Sequence, residues 1–166
     1  MNQRPNGTFI SSRSSFVSSM RAAPVLTASQ VTAILHSIDV STFLGLRDRA
    51  LIGILNFALA RVSAAVSVRL RDYRFCADSR NWVLTLTEKG RTPRNIAVHP
   101  TLREYLDQYI EQVVRPTYGE HEDTLLFRSS VKSAASEPIS RFEAWSMIRL
   151  RGAAIGIEVD PYWVSP

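Results

Sequence analysis

Residues 46–99, LRDRALIGILNFALARVSAAVSVRLRDYRFCADSRNWVLTLTEKGRTPRNIAVH, decide the fold. Leu46, Ala50, Leu51, Ile54, Leu55 and Ala58 recur at helical spacing, with Arg47, Asp48 and Arg49 in the first turn of the helix they predict. The pattern stays apolar through Phe57 and Leu59, which predicts a central helix buried on most sides. Arg61 then falls on a helix-to-helix corner, and Ser63 is the expected cap of a short helix running to Val68. Arg69, Arg71 and Arg74 form a basic cluster. Asp72 to Ala77 and Trp82 to Thr87, rich in aromatic and β-branched residues, flank a polar DSRN turn, and Asn95 to Val98 supplies a third strand after EKGRTPR. The stretch therefore reads as helices followed by a small antiparallel meander.

Upstream, Thr27 and Gln30 have the spacing of a capping box, so a helix is expected from Ala28 to about Ser37 with Val31, Ile34 and Leu35 buried. Asp39 to Thr42 is a polar break. Downstream, His99-Pro100-Thr101 opens a helix carrying Leu102, Tyr105, Leu106, Tyr109, Ile110 and Val113 on one face. Arg115 to Asp123 reads as loop, Thr124 to Arg128 as extended, and SSVKSAASEP as a linker. A last helix is expected from about Ser140 to Ile155, presenting Phe142, Trp145, Ile148 and Leu150, with Gly156 as its stop. The fold class is α+β, mainly helical, with a three-stranded antiparallel meander.

A chain of 166 residues with 45% hydrophobic content supports one domain with a core. Residues 1–23 hold six Ser, three Arg and no acid, and their lack of helical periodicity predicts a disordered tail, leaving 24–166 as the domain. Twenty Lys and Arg against fifteen Asp and Glu give a formal net charge of +5, which favours a polyanionic partner. The single cysteine, Cys76, excludes an internal disulfide framework, fits a reducing cytosol, and is expected to be a small buried residue. No apolar run reaches the roughly 18 residues of a membrane span, so no membrane partner is expected.

Two cations carry the chemical reading. Arg61 directly follows the apolar run LIGILNFALA, where it can snorkel or bond the helix's last carbonyls, or else meet an anion. Lys89 lies in the turn of EKGRTPR, where solvation is the ordinary fate of a lysine. A phosphodiester needs donors to both non-bridging oxygens and a proton for its leaving oxygen. A planar guanidinium suits the first task, and a hairpin lysine suits the second.

The helix LRDRALIGILNFALARVSAA, the strands, and then LTEKGRTPRNIAVHPTLREYL follow an order that resembles the catalytic domain of tyrosine recombinases, the phage-type integrases. The likeness runs from about Val25 to Ile157 and includes LTASQVTAILHSIDVSTFLGLRDRALI, LLFRSS and WSMIRLRGAAIGI. By that resemblance Arg61 matches the first catalytic arginine and Lys89 the catalytic lysine of the β-hairpin. The family implies attack of a tyrosine on a DNA phosphate, giving a 3′-phosphotyrosyl link and a free 5′ hydroxyl. It implies no metal or nucleotide cofactor and no small-molecule substrate. Double-stranded DNA and other recombinase protomers are the partners it implies. Arg69, Arg71, Arg74, Arg91 and Arg94 are candidates for tracking the DNA backbone, or form a solvated face. Trp82 and Trp145 are expected in the core.

The departures shape the functional expectation. After WSMIRLRGAAIGI the family continues to a His-x-x-Arg box, a later His or Trp, and a helix bearing the nucleophilic tyrosine. None of these lies within residues 1–166, and Tyr162, His99 and His121 match none of the positions. Ala64 stands where many members have an acid after the arginine, so weaker support for Arg61 is expected. The reading is thus a truncated recombinase domain, related to DNA recombination and integration and unable to cleave DNA as it stands. The alternative is a non-catalytic DNA-binding or interaction module that occupies recombination sites or pairs with an intact integrase. A third reading is a chain that barely folds alone.

Overall fold

A computed structural model describes residues 26–88, 90, 92–130 and 137–159. The expected tail, Lys89, Arg91, most of the SSVKSAASEP linker and Tyr162 lie outside them. Helix α1 (Ala28–Ser37) opens on the capping box, with Thr27 Oγ1 accepting from Gln30 N and Gln30 Oε1 accepting from Thr27 N. It buries Val31, Ile34 and Leu35, as the periodicity requires.

Helix α2 (Phe43–Phe57) begins earlier than the apolar pattern indicates, because Thr42 caps it through the N–H of Gly45. Arg47 and Asp48 therefore lie in its second turn and are buried, while Phe43 and Leu44 at its mouth are exposed. A Cβ on Gly45 would sit 1.8 Å from the Asp39 carbonyl oxygen, so only glycine lets the preceding turn close there. Helix α2 ends at Phe57, and Leu59, expected in the core, points outward with a φ of 47°. Helix α3 (Val62–Val66) follows with Arg61, not Ser63, at its N-cap.

A 3₁₀ turn (Leu70–Asp72) leads into β1 (Tyr73–Cys76), β2 (Asn81–Leu86) and β3 (Arg94–Ala97). They form one antiparallel sheet in the order β1-β2-β3, with Tyr73 opposite Leu84 and Leu84 opposite Ile96. Tyr73, Val83, Leu84 and Leu86 are buried. Cys76 is half-buried rather than enclosed, because β1 is an edge strand.

Helix α4 (Pro100–Tyr109) lies along α2, and Gly53 permits the approach: a Cβ there would stand 3.0 Å from Leu102 Cδ1 and 3.1 Å from Tyr105 Cδ2. The helix does not stop before Arg115. It passes through a π segment (Ile110–Val114) into α5 (Arg115–Tyr118). Pro116 has no N–H for the carbonyl four residues back, and a widened turn just ahead of a proline accommodates that loss. The chain then turns at Gly119, whose φ is 83°.

Residues 124–129 run extended past Arg69 and Pro138, and α6 (Arg141–Ala153) starts on a second capping box between Ser140 and Glu143. The last helix buries Ala144, Met147, Ile148 and Gly152, whereas Phe142 and Leu150, expected inward, are 71% and 70% exposed. Gly156 ends the turn as expected: Ile157 N donates to Gly152 O and Gly156 N to Ala153 O, with φ 74° at Gly156. One core of α1, α2, the sheet, α4 and α6 side chains joins these elements. The architecture is mainly helical with a three-stranded antiparallel sheet.

Candidate functional site

The break between α2 and α3 builds the site. Ala58 N–H closes the last turn of α2 on Ile54 O, Leu59 takes the left-handed conformation, and Arg61 emerges extended (φ −66°, ψ 145°) as the N-cap of α3. Its carbonyl accepts from Ala64 N and Ala65 N, so the backbone here is fixed while the side chain is 58% exposed. Arg61 Nη1 donates to Glu88 Oε2 at 2.5 Å, across 27 residues of sequence. Glu88 follows β2 and directly precedes Lys89 in the chain.

These groups line an open cavity of ≈ 370 Å³ formed by Leu59, Arg61, Leu86, Glu88, Thr92 and Arg94. Arg94, the first residue of β3, enters it from the sheet side and donates to Ala58 O at 3.5 Å. The structure thus brings Arg61 and Arg94 together in one concavity. Two guanidinium groups over one open cavity can hold a monoanionic oxyanion with several charge-assisted hydrogen bonds.

The other cationic candidates lie elsewhere. Arg69 precedes the 3₁₀ turn and Arg71 lies within it, and both are tied to residues 121–125: Arg69 Nη1 donates to the Asp123 carbonyl and Arg71 Nη1 to the Asp123 carboxylate. Part of their charge is therefore used within the molecule. Arg74 lies on the edge strand, among the residues lining a small cleft with Tyr73, Phe75 and Trp82. Trp82 stacks on Tyr73 at 4.7 Å with Arg103 over its ring, and Trp145 is half-buried beneath Arg149. Both tryptophans are packing residues in this structure.

His99 and His121 perform local structural work. His99 Nδ1 accepts from Thr101 N at the start of α4, and its ring stacks on Phe57 at 4.7 Å. His121 Nδ1 accepts from Asp123 N. The described tyrosines are likewise engaged away from the cavity. Tyr73 donates to Asp107 Oδ1 at 2.6 Å, and burial followed by that hydrogen bond pushes its hydroxyl well above the ordinary phenol range. Tyr109 donates to Leu126 O at 2.6 Å, and burial raises it similarly. Tyr105 and Tyr118 lie under the guanidinium groups of Arg49 and Arg128.

Sequence reasoning missed two ionic features. One is the Arg61–Glu88 pair. The other is a buried cluster in which Arg47 Nε and Nη2 donate to Asp48 Oδ1 at 3.0 and 2.8 Å, and Arg151 Nε and Nη2 donate to Asp48 Oδ2 at 3.1 and 2.6 Å. Arg47 Nη1 also reaches Arg128 O at 3.2 Å. A signal for the cluster existed: three charges inside an apolar helix need partners. Neither partner is local, so the sequence held no pointer to Arg151 or Glu88.

The model of the phage integrase family matches residues 24–165. The tyrosine recombinase XerD of Xanthomonas campestris pv. campestris is 33% identical over 144 residues, which cover 85% of this chain and 42% of that protein. XerD of Xanthomonas axonopodis pv. citri is 30% identical over 144 residues, covering 85% of this chain and 45% of its own length. Among solved structures, XerA recombinase has a TM-score of 0.63 at 17% identity, covering 86% of this chain and 46% of that one. XerH site-specific recombinase, bound to its difH substrate in a pre-cleavage complex, has a TM-score of 0.61 at 16% identity, covering 80% of this chain and 36% of that one. These likenesses show a shared fold, and the chain spans less than half the length of each relative.

Proposed function

The chain belongs to the phage integrase family, and from that premise we propose that residues 24–166 form part of a tyrosine-recombinase catalytic domain that grips a phosphate of double-stranded DNA during recombination. Arg61 is the guanidinium that binds the non-bridging oxygens, and Lys89 is the proton donor to the leaving 5′ oxygen. Arg94 joins Arg61 on the phosphate, and Arg69, Arg71 and Arg91 contact the backbone on either side. Residues 1–23 are a tail outside this domain. A cytosolic location accords with the single cysteine and the DNA substrate.

One observation carries the reading. Arg61 stands at a backbone-fixed corner, side chain outward, in an open cavity that also holds Arg94. Fixed donors with an exposed charged tip are what preorganised phosphate binding needs.

By the same proposal, the 166-residue polypeptide does not cleave DNA alone. Among the described residues no tyrosine lines the cavity, and the two buried ones are hydrogen-bonded elsewhere. With no described tyrosine at the cavity, the covalent step has no nucleophile there. A nicked suicide duplex incubated with this polypeptide is expected to yield no covalent adduct on denaturing gels; a trapped adduct would refute this half of the proposal. Duplex binding is expected to be weak and to fall steeply with salt. Arg61→Ala should weaken it by about tenfold, the size of one lost charge-assisted hydrogen bond.

The alternative, an interaction module that pairs with another recombinase protomer, draws support from the exposed Phe142 and Leu150 of α6. Gel shifts with a recombination site and a random duplex separate the two. A site preference that appears only when an intact recombinase is added favours pairing.

A further inference from the structure

We propose that Glu88 is a built-in anion that competes with the DNA phosphate for Arg61, so that the site is held below its full phosphate affinity until Glu88 yields. The inference rests on the assignment of Arg61 to phosphate binding.

Three observations support it. Glu88 Oε2 lies 2.5 Å from Arg61 Nη1, within the range of a strong charge-assisted hydrogen bond, and both residues line the cavity where the phosphate would sit. Glu88 is the one carboxylate within ion-pair distance of Arg61 among the described residues. Position 64, one turn into α3 from Arg61, holds a buried alanine and supplies no carboxylate of its own.

The energetics set the size of the effect. Arg61 is more than half exposed and Glu88 23% exposed, so the pair is screened from the arginine side and the guanidinium can exchange Glu88 for another anion. A phosphate arriving beside Glu88 meets repulsion of about one unit pair at close range, screened by water. Removing the carboxylate is therefore expected to tighten binding by about fivefold, the equivalent of an exposed ion pair. A bound phosphate and a seated Glu88 exclude one another, because both ask for the Nη1 donor.

The test is a double-mutant cycle read by fluorescence anisotropy, using a random 20-base-pair duplex at fixed low salt. The variants are wild type, Glu88→Gln, Arg61→Ala and the double variant, each checked for folding by circular dichroism. Glu88→Ala accompanies Glu88→Gln, so that loss of fold in one leaves the other. Competition predicts about fivefold tighter binding for either Glu88 variant with Arg61 present, and no gain in the Arg61→Ala background. An equal gain in both backgrounds shows a general charge effect and overturns the inference. Weaker binding on removal of Glu88 shows that it positions the guanidinium, which also overturns it. If Arg61→Ala leaves binding unchanged, the failure belongs to the phosphate-site reading itself.

Discussion

Two arginine–carboxylate assemblies in this protein are built from the same groups and have opposite fates. Arg47, Asp48 and Arg151 sit between α2 and α6, with the Asp48 side chain 5% exposed and both its oxygens occupied. Arg61 and Glu88 share a single contact at the rim of an open cavity. In the first, Arg47 and Asp48 are buried and Arg151, 26% exposed, closes the cluster, so withdrawing Asp48 leaves the buried Arg47 uncompensated. In the second, Arg61 is 58% exposed against 23% for Glu88, so water screens the pair from the arginine side and the guanidinium can exchange its anion at modest cost. Burial, rather than the identity of the residues, decides whether an arginine is committed to the fold or available to a ligand.

Asp48→Ala tests the comparison with the largest effect. It leaves Arg47 buried without a carboxylate and Arg151 with nothing on α2, and should cost about 3–5 kcal/mol. That is a large share of the 5–15 kcal/mol that ordinarily holds a domain together, so the variant is expected to be partly unfolded at room temperature. Arg61→Ala should lower stability by less than about 1 kcal/mol. Urea unfolding of both variants at neutral pH checks the contrast, and comparable losses would break it.

How much of this was legible in the sequence follows the same division between local and distant partners. Helix α1 could be read to its ends, because the Thr27–Gln30 capping box and the periodicity of Val31, Ile34 and Leu35 are local and agree. The three strands and their order were legible for the same reason. The start of α2 was not, since Thr42 caps a first turn whose Phe43 and Leu44 face water. In α6, large apolar residues suggested an inward face of Phe142, Trp145, Ile148 and Leu150; Ile148 is buried as expected, but the helix turns Ala144, Met147 and Gly152 toward the core with it. There Gly152 meets Ile157 and Val159 at distances that leave no room for a Cβ. Of the site, Arg61 and Arg94 were identified but not their meeting, and Glu88 was passed over beside Lys89. Contacts spanning 27 and 103 residues leave no periodic trace in a sequence.

A smaller effect is expected at the edge of the buried cluster. Glu143 caps α6 and accepts from Ser129 Oγ and Ser140 N. Burial works against its charge, but the Ser129 and Ser140 hydrogen bonds and the nearby Arg47 outweigh it and hold the carboxyl below the usual glutamate range. A folded-state value below the unfolded one means that this stabilisation is present above about pH 4.3 and is lost as pH falls through the folded value. Glu143→Gln keeps the cap geometry and removes the titration. The difference in stability between wild type and Glu143→Gln should therefore shrink below about pH 4, by about 0.5–1 kcal/mol in all, as befits a cap interaction. Thermal melts from pH 7 to pH 3 read it, and a pH-independent difference would show that the charge on Glu143 contributes nothing.

The smallest effect is expected where the exposed assembly meets the backbone. Leu59 is 82% exposed with a φ of 47°, a conformation costing a side-chain-bearing residue about 1–2 kcal/mol. Nothing in the core recovers that cost, since the side chain projects over the Arg61 cavity instead. Leu59→Gly relieves the strain but adds about 0.5–1 kcal/mol of chain entropy to be lost on folding. The net change should be a stabilisation of no more than about 1 kcal/mol by urea unfolding. The same substitution widens the mouth of the cavity without altering any charge. If duplex affinity rises in Leu59→Gly at an unchanged salt slope, the leucine obstructs the phosphate sterically, alongside the electrostatic competition from Glu88. If affinity is unchanged while stability rises, the strain at Leu59 is incidental to binding, and charge alone separates the exposed assembly from the buried one.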